Sequence, residues 1–415
     1  MNEDMRIENG EAPRVLVSSM REIATLVAYC NLYEFEDTVL NLLEADIVEF
    51  DDYNQIDRYR KIYKTFKYLT KSESTAKSLI KNVINKSYLK PLKQQYDLFF
   101  ASFNNPYELF MLFSLDGWRE KCKKTICYIV EFWEDDIPKC QHLLDLLKEF
   151  DHIFLGGKQS VKSVSQITGR PCTFLPFSVD TLKFCPYPLN PLRNIDICNL
   201  GRRSSVTHQQ LVRLSEEKQF FYYYDTTTIL KVINSEKQGT FHVKNAREHR
   251  LLLANLLKRS RYFIANRARA NEPSITKGKD ELSSRFFEGA AAGTVMLGDP
   301  PVTAEFNQCF DWPDAVISIP FDAPDIADVI AELDTQVDRI RRIRNNNVAY
   351  SLLRHDSVHR LEKIFKEVGV EPTNAMKQRK NYLKNLAVSL TPQGATNTTG
   401  NGLLNQFESL NVTSI

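Results

Sequence analysis

Several features that commonly identify a protein are scarce or missing in this 415-residue chain, and each absence removes a class. Fifty-four lysines and arginines stand against 52 acids, a net charge of only +2, so whole-molecule attraction to nucleic acid is not indicated. The eight cysteines form no C-x-x-C pair and no paired metal-ligand spacing, which predicts reduced, packed thiols in a reducing compartment and no metal site. No apolar run approaches the ~18–20 residues of a membrane span. The acidic start "MNEDMRIENGEAPR" has no apolar core of a signal peptide, so the expectation is a cytoplasmic protein, at most peripheral to the inner face of a membrane. There is no G-x-G-x-x-G after a first strand, which counts against a dinucleotide-binding oxidoreductase. "FLGGKQS" (154–160) lacks phosphate-loop spacing because Gln159 follows Lys158. H-E-x-x-H and G-x-S-x-G are missing too, leaving metalloprotease and α/β-hydrolase chemistry without support.

What is present is ordinary globular composition, 43% hydrophobic and 26% charged, at a length that suits two domains. Apolar strand-like runs alternate with stretches of helical spacing. In the first half the runs are "RVLVSS" (14–19), "YDLFFASF" (96–103), "KTICYIVEFW" (124–133), "DHIFLGG" (151–157) and "PCTFLPF" (171–177). "ELFMLFSLDGWREKC" (108–122) and "CQHLLDLLKEF" (140–150) suit crossover helices. Three prolines in 185–194 mark a linker. The pattern restarts with "NIDICNLG" (194–201), "FFYYYD" (220–225), "SRYFIAN" (260–266) and "GTVMLGD" (293–299), with helical spacing over 247–260, 325–343 and 357–369. The expected organisation is an N-terminal α/β domain (1–184), the linker, a second α/β domain (195–370) and an extension (371–415), its last part from 391 disordered.

Charge is segregated. Residues 1–55 carry 13 acidic and 3 basic side chains, whereas 56–98 carry 11 basic and 3 acidic ones over two amphipathic helical patterns. That surface is either a plain solvated face or one that meets an anionic partner such as membrane lipid.

The most informative stretch is "DELSSRFFEGAAAGTVMLGDP" (280–300). Ser283 and Ser284 suit the start of a helix whose free amides attract phosphate. Glu288 lies within that helix, placed to accept ribose hydroxyls. The run of small residues lets the helix backbone approach either the sheet or a ligand. This segment resembles the donor-site signature of group 1 glycosyltransferases of the GT-B fold: an acid, seven residues, a glutamate, then small residues and Gly-Thr before an apolar strand. Glu288, Ala291, Gly293 and Thr294 match in register. Further matches are Leu175, Pro176, Phe177, Val179, Asp180, Phe184 and Pro186 on the passage into the linker, and "ICNLGRR" (197–203) as the first strand and Gly-Arg turn of the donor domain.

The resemblance implies two Rossmann-like, doubly wound parallel-sheet domains facing across a cleft. It also implies a hexosyltransferase-type enzyme that moves a sugar from a nucleotide-diphosphate sugar to an acceptor hydroxyl, retaining and without metal or other cofactor. The nucleotide sugar is then a co-substrate, and the acceptor is a glycan, lipid or small molecule rather than nucleic acid. Arg202 and Arg203 are the expected cations, beside Gly201, with one of the arginines on the diphosphate. The family's later lysine is missing here, so Lys277, Lys279 or Arg285 supplies the second cation. Asp280, eight positions before Glu288, is the expected contact to the donor sugar, with Glu281 one residue out of register. Ser283, Ser284 and Arg285 complete the donor-side set. On the acceptor side the strand-end residues Glu131, Glu134, Asn104 and Asn105 are candidates, Glu131 first. Two other readings stay open: a sugar-nucleotide epimerase on the same scaffold, and a catalytically silent nucleotide-sugar-binding protein.

Overall fold

In the computed structural model of the chain, residues 12–83, 89–92, 94–186, 188, 190–225 and 242–390 are described. They form two compact units, Met1–Pro176 with Leu361–Lys377, and Phe177–Arg360 with Gln378–Ile415. The first unit therefore closes ahead of the 185–194 proline run and takes in the end of a late helix.

The N-terminal unit is built on a six-stranded, wholly parallel sheet. Its order is Glu44–Glu49, Arg14–Ser19, Tyr96–Phe103, Cys122–Ile129, His152–Leu155 and Cys172–Phe174. Val15, Leu16, Val17, Phe99, Phe100 and Ala101 are all buried, as expected of strands covered on both faces. Two departures from the expected pattern have local causes. Strand Glu44–Glu49 escapes notice because "EADIVE" places acids on a half-buried edge. The crossover expected over 108–122 is instead a 3-10 helix, Pro106–Ser114, then a two-residue strand paired with Lys90–Pro91. Phe110, Met111, Leu112 and Phe113 are buried on every side, so there is no polar face for an amphipathic helix to present. Gly117, at φ +68, turns the chain sharply afterwards.

Among the described residues the second unit has five parallel strands in the order Tyr222–Tyr224, Ile195–Asn199, Ser260–Ile264, Val295–Gly298 and Ile317–Ser318. This is the 2-1-3-4-5 order of doubly wound sheets, whose direction of winding reverses between the first and third strands. Both units are thus Rossmann-like, as the resemblance implied. Helix Ser284–Ala291 lies directly on this sheet. A Cβ on Gly289 would stand 2.7 Å from Met296 Sδ and 2.9 Å from Phe263 Cδ1. The small-residue run therefore serves close helix-to-strand packing. The helical stretch expected over 325–343 divides into Ile326–Asp334 and Val337–Arg354. Within the expected C-terminal extension, Asn374–Ser389 is helical, with Met376, Leu383 and Ala387 buried, while the tail from 391 lies outside the described residues.

Candidate functional site

In open parallel sheets ligands bind beyond the carboxyl ends of the strands where the winding reverses. In the second unit that point lies between Ile195–Asn199 and Ser260–Ile264. A depression there is lined by Arg202, Ile264, Asn266, Arg267, Ala270, Arg285 and Phe321. Three arginines from three different loops or helices thus converge on one spot.

Each arginine is held differently. Arg202, just after the first strand, pairs with Glu272 and donates to Asn271 Oδ1 at 3.2 Å. Arg267, just after the third strand, pairs through Nε with Asp280 at 3.0 Å and through Nη1 with Asp299. Arg285 reaches back from the first turn of helix Ser284–Ala291 and donates Nε–H to the Leu200 carbonyl at 3.1 Å. Among the described residues no carboxylate forms an ion pair with Arg285, and burial pulls the pKa of its guanidinium down. Glu288 and Asp225 act on it only at a distance, so a half-buried guanidinium with no paired carboxylate is left able to receive an anion.

The turn that admits Arg285 is made by Gly201. Its φ is +76, its amide donates to Asp225 Oδ2 at 2.8 Å, and a Cβ there would lie 2.1 Å from Arg285 Nη2. Arg203 is committed elsewhere: it pairs with Asp225 and its guanidinium carbon lies 5.3 Å from the Tyr224 ring centroid. Of the two adjacent arginines, only Arg202 lines the depression. Beside Arg203 stands a polar and aromatic group that sequence reading missed. His208 Nδ1 lies 2.9 Å from Tyr222 Oη, which accepts from Asn199 Nδ2 at 3.1 Å.

The acids also separate. Asp280 pairs with Arg267, one of the residues that line the depression, but does not line it itself. Glu281 has its side chain buried, and its carbonyl accepts from the Ala268 amide at 3.0 Å. Ser283 caps the helix by position and donates Oγ–H to the Asn266 carbonyl at 2.7 Å, tying the loop to the third strand's end, while Ser284 is half-buried as the first helical residue. Glu288 is buried, pairs with Arg250 of helix Ala246–Lys258, and does not line the depression. Lys277 and Lys279 do not line the depression. Arg267 is the member that sequence reading missed, although its place at the end of "SRYFIAN" was the available signal.

Glu131 belongs to the N-terminal unit, where it is exposed and accepts from Trp133 Nε1 at 2.8 Å. Its amide donates to the Asn104 carbonyl at 2.9 Å, so it adjoins that unit's own strand ends. Glu134 accepts from Ser163 Oγ at 3.0 Å. Two carboxyls there went unremarked in the sequence. Glu36 is fully buried and accepts from Ser19 Oγ and Ser102 Oγ, each at 2.5 Å, and from Arg21 Nη2 at 2.9 Å. Glu108 accepts from the Asn104 amide at 2.8 Å and from Asn105 Nδ2 at 3.1 Å, and burial pushes its pKa up to about 8. The Oγ of Ser18 and Oδ1 of Asn104 are buried without a hydrogen-bond partner beside this group.

Residues 236–366 match the family model described as Glycosyl transferase-like. That span holds Arg267, Asp280, Arg285 and Glu288, and it bears out the glycosyltransferase resemblance read from the motifs. No curated protein matches the chain. Among solved structures, a glycosyltransferase from Rickettsia africae is 12% identical at a TM-score of 0.45, covering 86% of this chain and 98% of that one. HepE of Anabaena, in complex with UDP-glucose, is 10% identical at 0.45, covering 86% and 99%. An alpha-glucosyltransferase in complex with UDP and DNA is 10% identical at 0.49, covering 87% and 100%.

Proposed function

We propose that this chain transfers a sugar from a nucleotide-diphosphate sugar to an acceptor hydroxyl, with the donor diphosphate held at the second unit's strand ends. The observation that carries this reading is the convergence of Arg202, Arg267 and Arg285 on one depression, with Arg267 and Arg285 inside the span that matches the glycosyltransferase family model. Departure of a nucleoside diphosphate builds negative charge, and preorganised guanidiniums stabilise it where a divalent cation otherwise would. Arg285 supplies the cation whose usual lysine is missing. Asp280, paired with Arg267, is read as the contact to the donor sugar, and Glu288 as the ribose contact. The acid-x7-glutamate pattern favours the retaining course. On the partner side the reading comprises the nucleotide sugar, a hydroxylated acceptor taken by the N-terminal unit near Glu131, and peripheral contact with an anionic membrane. An epimerase would consume nucleotide sugar with no acceptor present, and a silent binding protein would not consume it at all.

Nucleoside diphosphates should raise the melting temperature in EDTA, since a ligand bound only to the native state at a hundredfold excess over Kd adds about 2.7 kcal/mol. Arg285→Ala should weaken nucleotide diphosphate by roughly one to two decades, the worth of a charge-assisted bond of about 1.5–3 kcal/mol. If no uridine, guanosine or adenosine diphosphate shifts the wild-type melting point at millimolar concentration, the transferase reading fails.

A further inference from the structure

The helix Asn54–Thr70 of the N-terminal unit divides its charges in a way the sequence could not show. Its inner face buries Gln55, Ile56, Tyr59 and Tyr63. The acids around it are already used: Asp57 pairs with Arg60 at 2.6 Å, Glu73 and Asp145 pair with Lys67 at 3.1 and 2.5 Å, and Glu149 pairs with Lys77 at 2.7 Å. What remains outside is Arg58, Lys61, Lys64 and Lys71, all exposed, none with a carboxylate partner among the described residues. Residues 58, 61, 64 and 68 fall on one face by their three- and four-residue spacing. On and beside that cationic stripe, at the end of the helix, Tyr68 is 83% and Leu69 67% exposed.

Two large apolar side chains standing in water beside unpaired lysines do not suit a plain solvated face. Cations meet lipid phosphates at a bilayer surface, while an aromatic and an aliphatic side chain enter the boundary between headgroups and acyl chains. We infer that the outer face of helix Asn54–Thr70, continued to Lys71, is the surface by which this protein docks on an anionic lipid bilayer, with Tyr68 and Leu69 inserted. The inference rests on the peripheral-contact reading above and is independent of the donor chemistry. A phosphate backbone would use the same lysines but gives Leu69 no role, and the chain's net charge of +2 offers it little general attraction.

The test is co-sedimentation of the full chain with phosphatidylcholine vesicles, with and without one-third phosphatidylglycerol. Wild type should pellet with the anionic vesicles only, and less so as salt rises. Each lysine near such a surface contributes about fivefold in partitioning. Lys61→Glu with Lys64→Glu should therefore abolish pelleting, whereas the charge-matched Arg341→Glu with Arg342→Glu in the second unit should leave it intact. Tyr68→Ser with Leu69→Ser should weaken pelleting while preserving its salt dependence. Equal loss in both charge-reversed variants, or pelleting by the Tyr68/Leu69 variant equal to wild type, overturns this face while leaving peripheral contact standing. No preference of wild type for anionic vesicles overturns both, as does displacement by duplex DNA at matched charge with no effect of the Tyr68 and Leu69 changes. Nucleotide binding measured on the same variants should be unchanged, which keeps the donor-site reading separate.

Discussion

At the scale of single residues, Glu288 shows why a motif position and its role are different things. Its register was legible because the run Gly289 to Thr294 admits one alignment. Its partner was not, because Arg250 lies 38 positions away on another helix. Burying the pair means that removing one member leaves an uncompensated charge. Glu288→Ala should therefore cost about 3–5 kcal/mol of stability in the second unit, whatever Glu288 does for a ligand. Glu288→Gln keeps the shape and a carbonyl acceptor for Arg250, so it is the cleaner probe. With ribose hydroxyls bound by the carboxylate, calorimetry should show nucleotide affinity falling about tenfold in Glu288→Gln, the value of a bond to a charged group at roughly 1.5 kcal/mol. Unchanged affinity in a folded Glu288→Gln protein would make the residue a structural partner of Arg250 alone.

At the scale of elements, strands that are buried on both faces announced themselves, and the runs at 14–19 and 96–103 begin and end where the sequence placed them. What stayed hidden depends on contacts between distant segments. The arginine cluster was one-third visible from the Gly-Arg turn and one-third from the position after Ser284. Arg267 was just one of many arginines until the sheet order put the first and third strands side by side. The turn itself can be tested. Gly201→Ala must adopt φ +76 with a side chain, costing about 1–2 kcal/mol, and must also push Arg285 off its place. Gly169→Ala, at φ +68 with nothing within 4 Å of the added carbon, pays the backbone cost alone. Both variants should melt lower by similar amounts, while only Gly201→Ala should lose affinity for nucleoside diphosphate. Equal affinities would mean that Arg285 does not hold the phosphate.

At the scale of the whole molecule, the two units carry buried ionisable groups of opposite habit, and pH should tell them apart. In the second unit burial works to raise the Asp356 carboxyl, but its bonds to Arg379, at 2.8 Å to each oxygen, and to Thr181 bring it down. Its contribution is present above the unfolded value near 4 and is lost as pH falls. Burial holds His355 well below its ordinary range, with Arg360 adding to the effect, so its contribution is complete above about 6.5. In the N-terminal unit burial likewise lowers His142 and His152, which also stop mattering above that pH. Glu108 runs the other way: burial raises it to about 8, and Glu36 is raised by burial against the pull of Arg21. A carboxyl with a raised folded value is protonated in the native state and ionised in the unfolded one. The native state then binds more protons, so stability falls as pH climbs from the unfolded value toward the folded one. Between pH 6.5 and 8, then, the second unit should hold steady while the first weakens. Hydrogen exchange, corrected for intrinsic rate, should show amides of Tyr96–Phe103 losing protection over that interval while those of Ser260–Ile264 keep theirs. Glu108→Gln, which cannot ionise, should remove most of that slope. Parallel behaviour of the two strands, or an undiminished slope in Glu108→Gln, would show that Glu108 is not held protonated in the fold.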